Sequence, residues 1–290
     1  MAQEIEVKFT YAPEHSDALL RALLALPGAQ DAGQTRMHNR YFDTPDGRLN
    51  RERMALRLRD AGGKPLQTLK TKGVMQGGVA RRGEWEWPLQ EYALDLALLA
   101  DTPLAEYDIL DQLEVCFDTV FTRHAVDVRS ENTEVEAVLD AGYIEAGDQR
   151  QSLCELELEL YQGGPHRLQE LALELGTEVP LFLNTISKAE QGYWLAGLYQ
   201  PPWREEDHPV DDWLGNLSVL WLRNDPTQWN QAIQSHRQVE GMAGEAGRHM
   251  DWERVLNSFE TAQSRALPPR EVLQSMPRLT SLQLDLMLMQ

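Results

Sequence analysis

The stretch SLCELELELY at residues 152–161 alternates without a break, with Glu155, Glu157 and Glu159 on one side of an extended chain and Leu156, Leu158 and Leu160 on the other. A period of two residues marks a strand with two unlike faces. The same pattern recurs outward from this segment. Glu4, Glu6 and Lys8 oppose Ile5, Val7 and Phe9; Arg57 and Arg59 oppose Leu56 and Leu58; Lys70 and Lys72 oppose Leu69; and Arg82, Glu84 and Glu86 oppose Trp85 and Trp87.

For a single strand the ordinary explanation is a solvated face above an apolar core. Three features argue instead that the charges are sorted. Like charges two residues apart on one face lie only about 7 Å apart, yet acids repeat this way on two strands and bases on two others. The chain has five lysines, at 8, 64, 70, 72 and 188, and three of them fall on ionic strand faces. Trp85 and Trp87 alternate with charge, as expected of a barrel whose outer face packs under helices while the ions point inward. A membrane barrel would also alternate, but the amino terminus lacks a signal pattern and helical segments interrupt the strands.

Between the strands, helical spacing is predicted at 15–26, 94–100, after Pro165 up to Gly176, and at 186–198. Turn signals at 44–47, 62–63, 77–78 and 130–132 predict hairpins. About eight strands result. The expected fold is therefore α+β: an eight-stranded antiparallel closed β-barrel with flanking helices, occupying residues 1–200. Residues 201–212, rich in Pro and charge, read as a linker, and 213–290 as an all-α region with helical periodicity at 213–222, 229–239 and 252–267.

Hydrophobic content of 42% and charged content of 25% suit a globular chain. With 27 basic and 46 acidic residues the net charge is -19, which disfavours nucleic acid and anionic membrane surfaces as partners. An anionic ligand must then sit in a shielded basic pocket. Two cysteines and no apolar run of membrane-spanning length lead to an expectation of a cytoplasmic location.

A closed barrel lined with ions needs a tenant, since unpaired buried charge costs several kcal/mol per ion. Carboxylate clusters suit a hard divalent cation such as Mg2+, and Arg and Lys clusters suit phosphates. Together they point to phosphoryl chemistry.

These residues, taken in order, resemble the CYTH superfamily of triphosphate tunnel metalloenzymes. The resemblance runs through Glu4-x-Glu6-x-Lys8, Arg57-x-Arg59, Lys70-x-Lys72, Arg82-x-Glu84, Arg123, Leu139-Asp140, Glu155-x-Glu157 and Ser187-Lys188-Ala189-x-x-Gly192-Tyr193. Within the superfamily it is closest to bacterial two-domain inorganic triphosphatases. What it implies is hydrolysis of inorganic triphosphate, or a related small polyphosphate, to pyrophosphate and phosphate with Mg2+ or Mn2+. Glu4, Glu6, Asp140, Glu155 and Glu157 would hold metal, and Lys8, Arg57, Arg59, Lys70, Lys72, Arg82, Arg123 and Lys188 would contact phosphate. Catalysis would centre on Glu4, Glu6, Lys8 and Glu157.

Thiamine triphosphatase and class IV-type adenylate cyclase share the fold, and a polyphosphate-binding module is the non-enzymatic alternative. No ring-stacking platform is expected among the inward residues, which favours the bare anion. The helical CHAD domain of the two-domain relatives is matched only by a reduced segment, with no lysine after Lys188. Trp213, Leu217, Leu220, Trp221 and Trp252 must bury on the barrel or, in a homodimer, on a second subunit.

Overall fold

A computed structural model of the chain describes residues 5–71, 74–76, 79–81, 83–205 and 208–287. Its strands are β1 (Ile5–Thr10), β2 (Ala29–Asp43), β3 (Ala55–Ala61), β4 (Pro65–Lys70), β5 (Val74–Gln76), β6 (Val79–Arg81), β7 (Glu84–Pro88), β8 (Glu114–Arg129), β9 (Glu134–Ala146), β10 (Gln149–Gln162) and β11 (Phe182–Leu183). Its helices are α1 (Ser16–Ala25), α2 (Arg48–Arg51), α3 (His166–Glu178), α4 (Lys188–Leu195), α5 (Pro209–Arg223), α6 (Trp229–Gln238), α7 (Glu240–Glu245), α8 (His249–Ser264), α9 (Pro269–Gln274) and α10 (Pro277–Met287). The fold is α+β.

Nine strands pair antiparallel in the order β11-β1-β10-β9-β8-β2-β3-β4-β7, and β5 and β6 form a separate hairpin. The expected closure into an eight-stranded barrel does not hold among the described residues: the sheet has two ends, at β11 and β7. A physical reason is visible at the β11 end. The side-chain amide of Gln283, on α10, accepts from Leu183 N at 3.2 Å and donates to Leu183 O at 3.1 Å, and Thr280 Oγ1 donates to Leu181 O. A helix thus satisfies the backbone groups to which a closing strand would have to bond, and edges covered in this way do not propagate.

The alternation sorts the sheet into two faces. On the apolar face Phe9, Leu156, Leu158, Leu139 and Val126 are buried under α1 and α3. Phe42, Leu56, Leu58 and Leu69 form a second cluster, with Trp85 and Trp87 partly buried against it, beneath the 3-10 turns at Leu96–Leu99 and Pro103–Glu106. Each fully buried Leu contributes roughly 1.5–3 kcal/mol. This outweighs the modest local propensity of short, charge-rich strands.

β2 and β8 run well beyond the segments that periodicity marks as strand. Residues 29–36 of β2 are largely exposed and carry no apolar alternation; pairing with β8, across a bulge at Asp31/Gly33, holds them extended. α5 begins at Pro209, inside the stretch read as a linker. Trp213, Leu217, Leu220, Trp221 and Trp252 are buried within the chain itself, in the cluster that also contains Phe9, Leu158 and Phe182. They do not require a second subunit. No described helix is long and apolar enough to cross a membrane.

Candidate active site

Register places the ionic residues of adjacent strands beside one another. Glu6 faces Glu159 and Lys8 faces Glu157 across β1 and β10; Glu155 faces Asp140 across β10 and β9; Asp140 faces Arg123 across β9 and β8. Further along, Asn39 of β2 lies between Thr119 and Arg59, and Lys70 of β4 faces Glu84 of β7. One face therefore carries acids toward β1, β10 and β9, and bases toward β8, β3 and β4.

α4 lies against this face and adds its own cation. Its start is fixed by a capping box: Ser187 Oγ accepts from Glu190 N at 3.2 Å, and Ser187 N donates to the Glu190 carboxylate at 2.9 Å. Gly192 lets the helix approach, since a Cβ there would stand 2.1 Å from the Phe117 ring. Tyr193 then packs edge-on to Phe117 with centroids 5.0 Å apart. The first helical residue, Lys188, is thereby aimed into the acids.

Lys188 Nζ lies 2.9 Å from Asp140 Oδ2, 2.5 Å from Glu155 Oε2 and 2.7 Å from Glu157 Oε1. The contact to Glu155 Oε2 is an ion pair without hydrogen-bond geometry. Arg123 grips Asp140 with two hydrogen bonds, at 2.8 and 2.7 Å, and reaches Glu157 Oε2 at 3.0 Å. Desolvation would push the buried Asp140 carboxyl up, but the Arg123 hydrogen bonds and the Lys188 charge hold it below the usual range. Burial likewise works against the Lys188 ammonium, and the Glu155, Asp140 and Glu157 charges outweigh it, holding its pKa above the lysine range.

The basic side is balanced differently. Arg59 donates from Nε to Asn39 Oδ1 at 2.7 Å, and Asn39 in turn donates to Thr119 at 2.9 Å. Neither Arg57 nor Arg59 has a carboxylate ion pair among the described residues, and the buried Nε of Arg57 has no hydrogen-bond acceptor. Desolvation, reinforced by the neighbouring Arg57, pushes Arg59 down to about 10. Glu86 acts on Arg59 only at a distance, without an ion pair, so among the described residues two adjacent guanidiniums lack a contacting carboxylate and form a site suited to an anion. Lys70 is paired with Glu84 at 2.8 Å, and Lys8 donates to Ile186 O.

Of the residues the sequence marked, Glu6, Lys8, Arg57, Arg59, Lys70, Arg123, Asp140, Glu155, Glu157 and Lys188 share this face or point into it. Glu4, Lys72 and Arg82 lie outside the described residues. Sequence reasoning missed Asn39, Thr119, Glu136 and Gln191. Glu136 was findable, because it alternates with Val138 and Asp140; the neutral residues carry no charge pattern. Aromatic side chains also share the face, contrary to the expectation of purely ionic lining: Tyr41, Phe117 and Phe121 are buried with Tyr193 at the α4 end, so none offers an open ring.

The CYTH domain family matches residues 2–193. This chain belongs to the CYTH family. An inorganic triphosphatase from Haemophilus influenzae is 30% identical over 197 residues, which cover 67% of this chain and 55% of that protein. The chain thus spans about half the length of that curated relative. A putative adenylyl cyclase from Hippeastrum, described as having a dominant triphosphatase activity, is 22% identical at a TM-score of 0.44, covering 69% of this chain and 98% of that one. The inorganic triphosphatase NE1496 is 18% identical at a TM-score of 0.27, covering 59% and 80%. At these TM-scores neither overlay places residues.

The family brings a divalent cation into question, and the donor set can be tested against it. Among the described residues no group of three or more His, Cys, Asp or Glu side chains is arranged to hold a metal ion; the three carboxylates that do converge, Asp140, Glu155 and Glu157, meet at the Lys188 ammonium. Asp140 and Glu155 are fully buried and already neutralised by Lys188 and Arg123. Glu157 is paired with the same two cations but is partly open to solvent, and Glu6 is exposed on the neighbouring strand β1; both offer only oxygen. That chemistry fits a hard cation such as Mg2+ or Mn2+.

Proposed function

We propose that the ionic face hydrolyses inorganic triphosphate, or a closely related small polyphosphate, in the cytoplasm. The observation that carries this reading is the Arg57–Arg59 pair, two adjacent guanidiniums without a carboxylate ion pair among the described residues, set on the same face as a bank of carboxylates. Arg57, Arg59 and Lys70 would bind the phosphate oxygens, with Lys8, Arg123 and Lys188 beside them; Lys72 and Arg82 belong to the same proposed set. Glu6 and Glu157, with Glu4, would hold Mg2+ or Mn2+, which when bound neutralises phosphate charge and activates water. We assign Asp140 and Glu155 a different part from the metal role the resemblance implies: they are the counter-ions that fix Lys188. Guanidinium groups already in place meet the charge developing on the phosphate oxygens without reorganising. We take residues 1–200 as the unit that carries this chemistry and 213–290 as its helical support.

Phosphate release from triphosphate in the presence of Mg2+ or Mn2+ tests the reading. Glu6→Gln and Glu157→Gln, which remove a ligand charge while keeping its shape, are each expected to lower turnover about a hundredfold. Near-normal rates in both variants would remove the metal assignment.

Substrate choice follows from the lining. With the aromatic rings of this face buried, a site that binds three phosphates gains nothing from an attached base or thiazolium. The expected kcat/KM for inorganic triphosphate exceeds that for ATP or thiamine triphosphate at least about tenfold, roughly 1.4 kcal/mol. One feature favours a second reading: a cavity of about 720 Å³ beside α4, lined by residues that include Arg53, Thr71, Ser187 and Tyr199, has room for a nucleoside. Parallel kinetics on the three substrates decide, and preference for an organic triphosphate would overturn the assignment of the bare anion.

A further inference from the structure

A line of hydrogen bonds joins the C-terminal helices to the ionic face. It starts at Arg270, in the first turn of α9. The guanidinium lies 4.5 Å over the Trp221 ring and donates to Trp221 O at 3.4 Å and Leu222 O at 3.2 Å. These are carbonyls of the last turn of α5, which lack partners within the helix. The same Nη2 also donates to Gln151 Oε1 at 3.1 Å. Gln151 Nε2 donates to Gln191 Oε1 at 3.4 Å, and Gln191 Nε2 donates to Glu155 Oε1 at 2.6 Å. The other oxygen of Glu155 is 2.5 Å from Lys188 Nζ.

The direction of the line is fixed at both ends. An arginine can only donate and an ionised carboxylate can only accept, so each amide between them has one orientation that serves both neighbours. Desolvation lowers Arg270 to about 10, still well above neutrality, so it remains a cation. Among the described residues it has no carboxylate partner; its charge is directed down the line. Gln191 and Glu155 are buried at 1% and 0% exposure, where an amide turned the wrong way would be costly.

We infer that Arg270, Gln151 and Gln191 are positioning residues: through them the C-terminal helices hold Glu155, and through Glu155 the Lys188 ammonium, in the geometry that faces substrate. The kinetic consequence rests on the triphosphatase reading; the relay itself does not. A purely structural tie between the helices and the sheet would use the Arg270–Gln151 contact alone and would be indifferent to the orientation of the Gln191 amide.

Gln151→Glu separates the two. A carboxylate at 151 gives Arg270 an ion pair and should leave Tm at or above that of the wild type. It cannot donate, however, so Gln191 is left between two carboxylates and no orientation of its amide serves both. In lysine-labelled full-length protein, with the Lys188 ammonium signal assigned by its loss in Lys188→Met, Gln151→Glu and Gln151→Met should both shift or broaden that signal. With Mg2+ and inorganic triphosphate, both should lower kcat about tenfold, the scale of lost outer-shell support, with KM changed less than about twofold. An unchanged Lys188 signal in folded Gln151→Glu would overturn the relay. If the wild type releases no phosphate from triphosphate, the functional reading falls, and the ammonium signal still decides the relay.

Discussion

Replacing Lys188 with methionine is expected to cost about 3–5 kcal/mol of stability at pH 7, the scale for a buried ion pair that loses one partner, and to lower triphosphatase turnover about a thousandfold. Lys188 is the shared counter-ion of Asp140, Glu155 and Glu157, and the first two are wholly buried. Arg123 remains on Asp140 and Glu157 but does not reach Glu155 among the described contacts. The variant would therefore bury excess negative charge beside a polyanion site, weakening both fold and binding.

The pH dependence gives the sign. In the wild type the Asp140 carboxyl is held below its ordinary value, so its contribution is present above the unfolded pKa, about 4, and is lost as pH falls through the depressed folded value. In Lys188→Met a carboxyl of the cluster should instead take up a proton more readily folded than unfolded, so acidification helps the variant. Urea unfolding at pH 7 and pH 5 should show the gap between the two proteins narrowing at the lower pH. A variant as stable as the wild type at pH 7, or a gap that does not narrow, would show that Lys188 is not the counter-ion.

Charge alternation made most of this site legible, because a strand with a period of two displays its faces in the sequence itself. Glu155, Glu157, Arg57, Arg59 and Lys70 could be assigned to one face from that alone, and the register agrees. Lys188 was legible only through resemblance, since nothing in the periodicity of a helix says that its first residue meets the ionic face of a distant sheet. Asn39, Gln151 and Gln191 were illegible for a related reason: a neutral amide acquires meaning from what flanks it, and its flanking partners here are up to 119 residues away in sequence. Closure was misjudged because strand count alone does not close a sheet. Whether the last edge pairs with the first depends on what else bonds to it, and at β11 that is a glutamine from α10.

The same edge governs what the helical region does for the rest of the chain. Alternation and linker composition suggest that residues 1–200 could stand alone, but the packing predicts otherwise. Ending the chain at Gln200 would uncover Leu181, Phe182 and Leu183, all buried, and would strip the Gln283 amide and Thr280 hydroxyl from the β11 edge. It would also remove Ser218, whose Oγ accepts from Thr185 N at 3.0 Å just before α4. An exposed apolar edge with free N–H and C=O groups is a template for association. The 1–200 fragment is expected to self-associate and bind a hydrophobic dye, without a cooperative thermal transition. In the full chain, Gln283→Leu isolates the edge itself: it leaves the buried N–H and C=O of Leu183 without these partners, at about 1–3 kcal/mol for each group, and should lower the urea midpoint accordingly. A monomeric 1–200 fragment that unfolds cooperatively, together with a Gln283→Leu protein as stable as the wild type, would show that the sheet closes its own edge and that the helices are an accessory to it.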